Sequence, residues 1–166
     1  MFERLNTAQE AFNFELGAAL KTEHTVLEML DKLANTARDD KLKQLFRRHH
    51  HETQQQIAHI ERIFEVFGWE VEESPAPVAD ALDKDAKGTI KKMSKSLTPA
   101  GILQAGLKTE HHEIAVYENL IVNAEALGKD DAVALLRENL DQEQRTLDEL
   151  GQMLREVAAA VAEQAA

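Results

Sequence analysis

The chain has no cysteine. That excludes disulfides, thiolate metal sites and iron–sulfur clusters. Aromatics are few, with one Tyr and one Trp, and β-branched alternation is scarce, so strand signals are nearly absent. No stretch approaches the roughly 18 consecutive apolar residues of a membrane span. The opening MFERLNTAQEAF carries early charges and no long apolar run, so no signal peptide is expected. Basic charge is also short: the formal net charge is −11, and Lys and Arg form no dense run. Phosphate binding needs a basic face, so the charge argues against a nucleic-acid partner. The same acidity draws cations toward any carboxylate site. The expectation is a single domain over residues 1–166, cytoplasmic, with no membrane partner.

What is present is helical periodicity. Apolar residues step by three and four along four long stretches, at about 7–35, 39–67, 98–127 and 130–163. Thr7 and Glu10 fit a capping box at the first start. Asp39 or Asp40 opens the second stretch and Gly68 ends it, while Pro99 sits in the first turn of the third and Gly128 stops it. The first and second stretches, and the third and fourth, are separated by short loops, so each pair folds as an antiparallel hairpin. Between the hairpins lie residues 69–97, where ESPAP breaks structure and a weakly helical segment follows at about 77–94. A connection of this length can cross the whole bundle. The expected fold is all-α: a four-helix bundle whose long crossover contains a short extra helix.

The pentapeptide LKTEH occurs at residues 20–24 and again at 107–111, once in the first helix of each hairpin. Its glutamates, Glu23 and Glu110, fall on the apolar seams. So do Glu113 in the third long helix and Glu143 in the fourth. The matching stretch of the second offers His49, Glu52, Thr53 and Gln56. Every long helix thus turns a carboxylate toward the axis near its middle. One such residue reads as a surface side chain beside a misplaced seam; four helices at one height do not. Buried together, unpaired carboxylates cost several kcal/mol each. Two divalent cations relieve that cost, and carboxylate with imidazole suits iron or manganese. His49, three residues before Glu52, shares its helix face and is a candidate ligand. His24 and His111 point about 100° away from the neighbouring glutamates and read as structural. Tyr117, one turn beyond Glu113, reads as core packing or as a partner to a ligand. An apparent calcium loop at Asp83 and Asp85 fails, because Lys87 and Ser94 stand where oxygen ligands belong.

These motifs are TEHTVLEML around Glu23, HHHETQQQIAHIERIF around Glu52, TEHHEIAVYENL with Glu110 and Glu113, and LDQEQRTLDEL around Glu143. With the crossover, they resemble the YciF-like bacterial stress proteins of the ferritin-like superfamily, which includes rubrerythrins and bacterioferritins. The resemblance implies a carboxylate-bridged di-metal centre of iron or manganese, with a bridging oxide or hydroxide, and a homodimer. It casts Glu52 and Glu143 as bridging ligands, Glu23 and Glu110 as terminal ones, and Glu113 as an extra carboxylate. The chain departs from the superfamily's Glu-x-x-His pattern: Gln55 and Thr146 occupy the histidine positions, and Gln142 stands where a glutamate is common. Two functions follow. One is a di-iron oxidoreductase of the stress response that reacts with oxygen or peroxide. The other is a non-catalytic dimeric module whose site is empty or holds one ion. Phe14, off the main seam, is a candidate interface residue.

Overall fold

The computed structural model describes residues 4–164. Its elements are α1 (Ala8–Thr36), α2 (Asp40–Phe67), α3 (Pro77–Lys92), α4 (Thr98–Ala126) and α5 (Asp130–Gln164). The described residues contain no strand. The local signals explain where the helices begin and end. Thr7 and Glu10 form a reciprocal capping box at α1, satisfying backbone N–H groups that the first turn leaves free. Asp39 accepts from the Leu42 N–H at 2.9 Å and caps α2. Gly68 ends α2 at φ 71°, a left-handed conformation that glycine reaches without steric cost.

α1 packs on α2 and α4 on α5; the two hairpins meet along α2–α5 and α1–α4, and α3 lies across α4 and α1. The crossover approaches α1 very closely. A Cβ added at Gly17 would sit 2.7 Å from the Glu72 carbonyl oxygen and 2.9 Å from the Ser74 nitrogen, so only glycine fits beneath this strap.

The interior is divided along its length. One apolar cluster holds Phe12, Leu16, Leu20, Ile60, Ile63, Phe64, Leu120 and Leu136. The other holds Val26, Leu30, Leu42, Phe46, Ile102, Leu103 and Leu150. Each fully buried aliphatic or aromatic side chain contributes about 1.5–3 kcal/mol, and the two clusters hold the bundle at both ends. Between them, on every long helix, lies a buried polar layer: Glu23 on α1, His49, Thr53 and Gln56 on α2, Glu110 and Glu113 on α4, and Asn139, Glu143 and Thr146 on α5. The apolar ends fix its height.

Candidate metal centre

Four residues of this layer converge. His49, Glu110, Glu113 and Glu143 each offer a ligand atom, and these atoms lie within 4.8 Å of one another. All four are buried. His49 Nε2 is 3.2 Å from Glu110 Oε1 and 3.8 Å from Glu143 Oε2. The first is an ion-pair distance without hydrogen-bond alignment, so Nε2 has no hydrogen-bond partner. On its other side, His49 Nδ1 lies 3.4 Å from the Thr146 hydroxyl.

Glu23 lies outside this group of four but within its electrostatic reach. Tyr117, fully buried, donates its hydroxyl proton to Glu23 Oε1. Glu52 stands at the rim, 15% exposed. Its Oε2 is 3.7 Å from His49 Nδ1 and its Oε1 3.6 Å from Arg145. On the opposite side of the cluster, the Gln56 side chain donates to Glu143 Oε1. His24 points away to Glu73 at 2.6 Å. At the positions that depart from the histidine pattern, Thr146 reaches His49, and Gln142 Nε2 donates to Gln55 Oε1 at 3.3 Å.

Burial dominates the charge states. It raises the Glu23 carboxyl to about 7, against the lowering effect of the Tyr117 hydrogen bond. Glu113 rises well above the carboxylate range through burial, with Glu143, Glu23 and Glu110 adding repulsion. Glu143 rises for the same reasons, burial first and then Glu110. Burial also disfavours the His49 imidazolium, but Glu110, Glu52 and Glu143 outweigh it and hold the ring well above its usual value. Burial opposes ionisation of Glu110 as well; there the His49 charge wins and its value falls. Glu52 is lowered by His49 first, against its partial burial, with Arg48 and Arg145 assisting.

One observation tests whether a cation suits this donor set. Glu23 Oε2, Glu110 Oε2, both Glu113 oxygens, Glu143 Oε2 and His49 Nε2 are buried without a hydrogen-bond partner. Buried polar atoms are nearly always satisfied, and these are all lone-pair donors once deprotonated. The residues fit a divalent metal.

Two polar residues gave no functional signal in the sequence: Asn139 in the layer and His59 beside it. Asn139 is fully buried on α5, one turn before Glu143 and one turn after Leu136. That core-facing register was the available clue. His59 is half-buried and contacts Asn139.

A four-helix bundle with a long crossover and inward carboxylates is the ferritin-like architecture. The chain superposes at TM-score 0.71 on ferritin-like, diiron-carboxylate proteins from Bacillus anthracis, covering 90% of this chain and 99% of that one at 18% identity. The model named "Domain of unknown function (DUF892)" matches residues 7–163, and the chain belongs to that family. It is 31% identical to Protein YciF of Escherichia coli over 144 residues, 86% of this chain and 87% of that protein. The structure of the E. coli stress protein YciF superposes at TM-score 0.88, covering 93% and 99% of the two chains at 28% identity. YcfI from Rhodopseudomonas palustris superposes at 0.87, covering 91% and 98% at 31% identity.

Proposed function

We propose that this chain is a bacterial stress protein that binds two iron or manganese ions in its polar layer and reacts with oxygen or peroxide. The orphaned lone pairs of Glu23, His49, Glu110, Glu113 and Glu143 carry this reading. His49, Glu110, Glu113 and Glu143 would form the shared heart of the site, with Glu23 and Glu52 flanking it. Two reduced ions held there would supply the electrons for reducing oxygen or peroxide. The chain's own contributions are specific. Tyr117 and Gln56 each hold one carboxylate oxygen of Glu23 and Glu143, which leaves the second oxygen of each for a cation. The apolar clusters above and below exclude water and preserve the strength of these charges. Glu52, the rim carboxylate, offers a cation its first anionic contact. Homodimerisation belongs to the same reading, with Phe14, 37% exposed on α1, as an apolar residue available to an interface, and so does a cytoplasmic location.

Anaerobic titration with ferrous ion, followed by elemental analysis, tests the proposal. Wild-type protein is expected to retain two equivalents, and His49→Ala and Glu143→Gln to lose at least one. Wild-type protein that retains no more iron than either variant would sink the reading. A second reading has its own support. His49 and the protonated carboxyls can neutralise the layer without any ion, as a non-catalytic dimeric module would require. That module predicts no metal retention and a dimeric mass by light scattering.

A further inference from the structure

Asn139 occupies a singular place among the polar residues. Its Nδ2 lies 3.4 Å from the Gln56 carbonyl oxygen and 3.2 Å from the Tyr117 hydroxyl oxygen. A backbone carbonyl accepts only, so the amide atom facing Gln56 must be the nitrogen, and the orientation of the side chain follows from chemistry. Its oxygen then faces His59, whose Nδ1 is 2.7 Å away. An amide oxygen cannot donate, so His59 carries a proton on Nδ1. Tyr117 Oη already accepts from Asn139, and its single hydroxyl proton goes to Glu23. Every donor therefore points inward: His59 to Asn139, Asn139 to Tyr117, Tyr117 to Glu23. Chains aligned in one direction polarise one another. The second Asn139 N–H holds the backbone of Gln56, whose side chain holds Glu143.

We propose that Asn139, oriented by His59 at the bundle surface, is the positioning residue of the metal centre, setting the Glu23 carboxylate through Tyr117 and the Glu143 carboxylate through Gln56. It rests on the metal reading above. Asn139 touches no ligand itself. It determines which oxygen of two carboxylates, on helices of opposite hairpins, is committed to a hydrogen bond and which is left for a cation. His59 adds to the hold of the Gln56 carbonyl on this orientation, since a flipped amide would turn its NH2 toward the protonated Nδ1 and its oxygen toward that carbonyl.

The test has a metal-free part and a metal part. In metal-free wild-type protein, nitrogen NMR of His59 is expected to show a protonated Nδ1. Tyr117 is the single tyrosine, so its ultraviolet Raman bands report its hydrogen bonding directly, and they should shift in Asn139→Leu. Outer hydrogen-bond partners of metal ligands change affinity by roughly 10–100-fold. Manganous affinity, read by electron paramagnetic resonance, should therefore fall at least tenfold in Asn139→Leu. His59→Phe should also weaken it. His59→Gln, which restores an N–H donor, should stay nearer to wild type than His59→Phe does. If Asn139→Leu does not fold, the His59→Phe and His59→Gln pair decides. A bare Nδ1 at His59, or equal manganous affinity in wild type and His59→Phe, overturns the proposal. Wild-type protein that binds neither manganous nor ferrous ion, with the Nδ1 proton in place, overturns the proposed function and takes the positioning role with it.

Discussion

His49 Nε2 and Glu110 Oε1 meet at 3.2 Å across the interface of the two hairpins, one on α2 and the other on α4. The histidine that approaches the carboxylates lies one turn before Glu52, where the superfamily pattern has one a turn after. In the metal-free protein its ring is held charged by Glu110, Glu52 and Glu143. A histidine ligand must be the neutral imidazole, so metal binding at His49 would release that proton. The expected outcome is a manganous affinity that rises steeply with pH in wild type and less steeply in His49→Gln, checked by isothermal titration at several pH values.

Metal binding should stabilise the fold. Ions bound only by the native state add RT ln(1 + [L]/Kd), about 2.7 kcal/mol at a hundredfold excess over Kd. For a chain of this size that raises Tm by roughly 5–10 °C. Glu143→Gln should abolish the rise, because it removes a carboxylate from the shared heart of the site. Thermal scans with and without ferrous or manganous ion read the difference directly, and an unchanged wild-type Tm contradicts the metal reading.

Glu113 has both oxygens buried without a partner. Burial of such a group works against the stability of the metal-free chain. A buried polar group left without a partner costs about 1–3 kcal/mol, and an apolar residue of similar volume removes that cost. Glu113→Leu should therefore make the metal-free protein more resistant to urea while weakening metal retention. A loss of metal-free stability would show that Glu113 has a partner in solution.

The pH dependence of the metal-free protein follows from the raised carboxyls. Glu23 goes from 4.5 to about 7 on folding. A group raised in this way contributes stability that is complete below its unfolded value and is lost as pH climbs through the folded one. Glu23→Gln keeps an acceptor for Tyr117 but removes the titration. It should match wild type near pH 4 and exceed it by about 3 kcal/mol above pH 7. Chelator-treated protein, unfolded by urea across that range, provides the check. A gap that widens toward low pH would reverse the sign argued here.

Gly17 tests the strap. Any Cβ there meets the backbone of the crossover at 2.7–2.9 Å. Backbone cannot swing aside as a flexible side chain can, so Gly17→Ala should cost about 1–3 kcal/mol, as overpacking does. The higher helix propensity of alanine would otherwise give a gain of up to about 1 kcal/mol, so the sign of the change in urea midpoint is decisive.

The helix ends were legible because they are local chemistry. Thr7 with Glu10, Asp39 and Gly68 each satisfy or release backbone groups within one turn, and no distant contact overrides them. The inward carboxylates were legible through their spacing, since Glu23, Glu110, Glu113 and Glu143 interrupt apolar stripes at one height. What spacing cannot convey is the last few ångströms. Glu52 and His49 share a helix face, yet packing against α5 buries His49 and leaves Glu52 beside Arg145 at the rim. Asn139 and His59 escaped notice for a related reason. An amide on a seam resembles a solvated side chain until its partners on other elements are known, and here those three partners are Gln56 and His59 on α2 and Tyr117 on α4.

The division of ligands between the hairpins bears on how the chain assembles. α1 and α2 carry Glu23, His49 and Glu52; α4 and α5 carry Glu110, Glu113 and Glu143. Each hairpin is made of contacts close in sequence, which form quickly. The contacts between the halves are distant in sequence, so their docking is the slower event on topological grounds. Until that moment the acidic side chains are wet and ionised. Docking strips their water and obliges them to take up protons or a cation in the same step. On the proposed reading, the final association of the two halves becomes a competition between hydrogen ions and metal ions for one set of lone pairs.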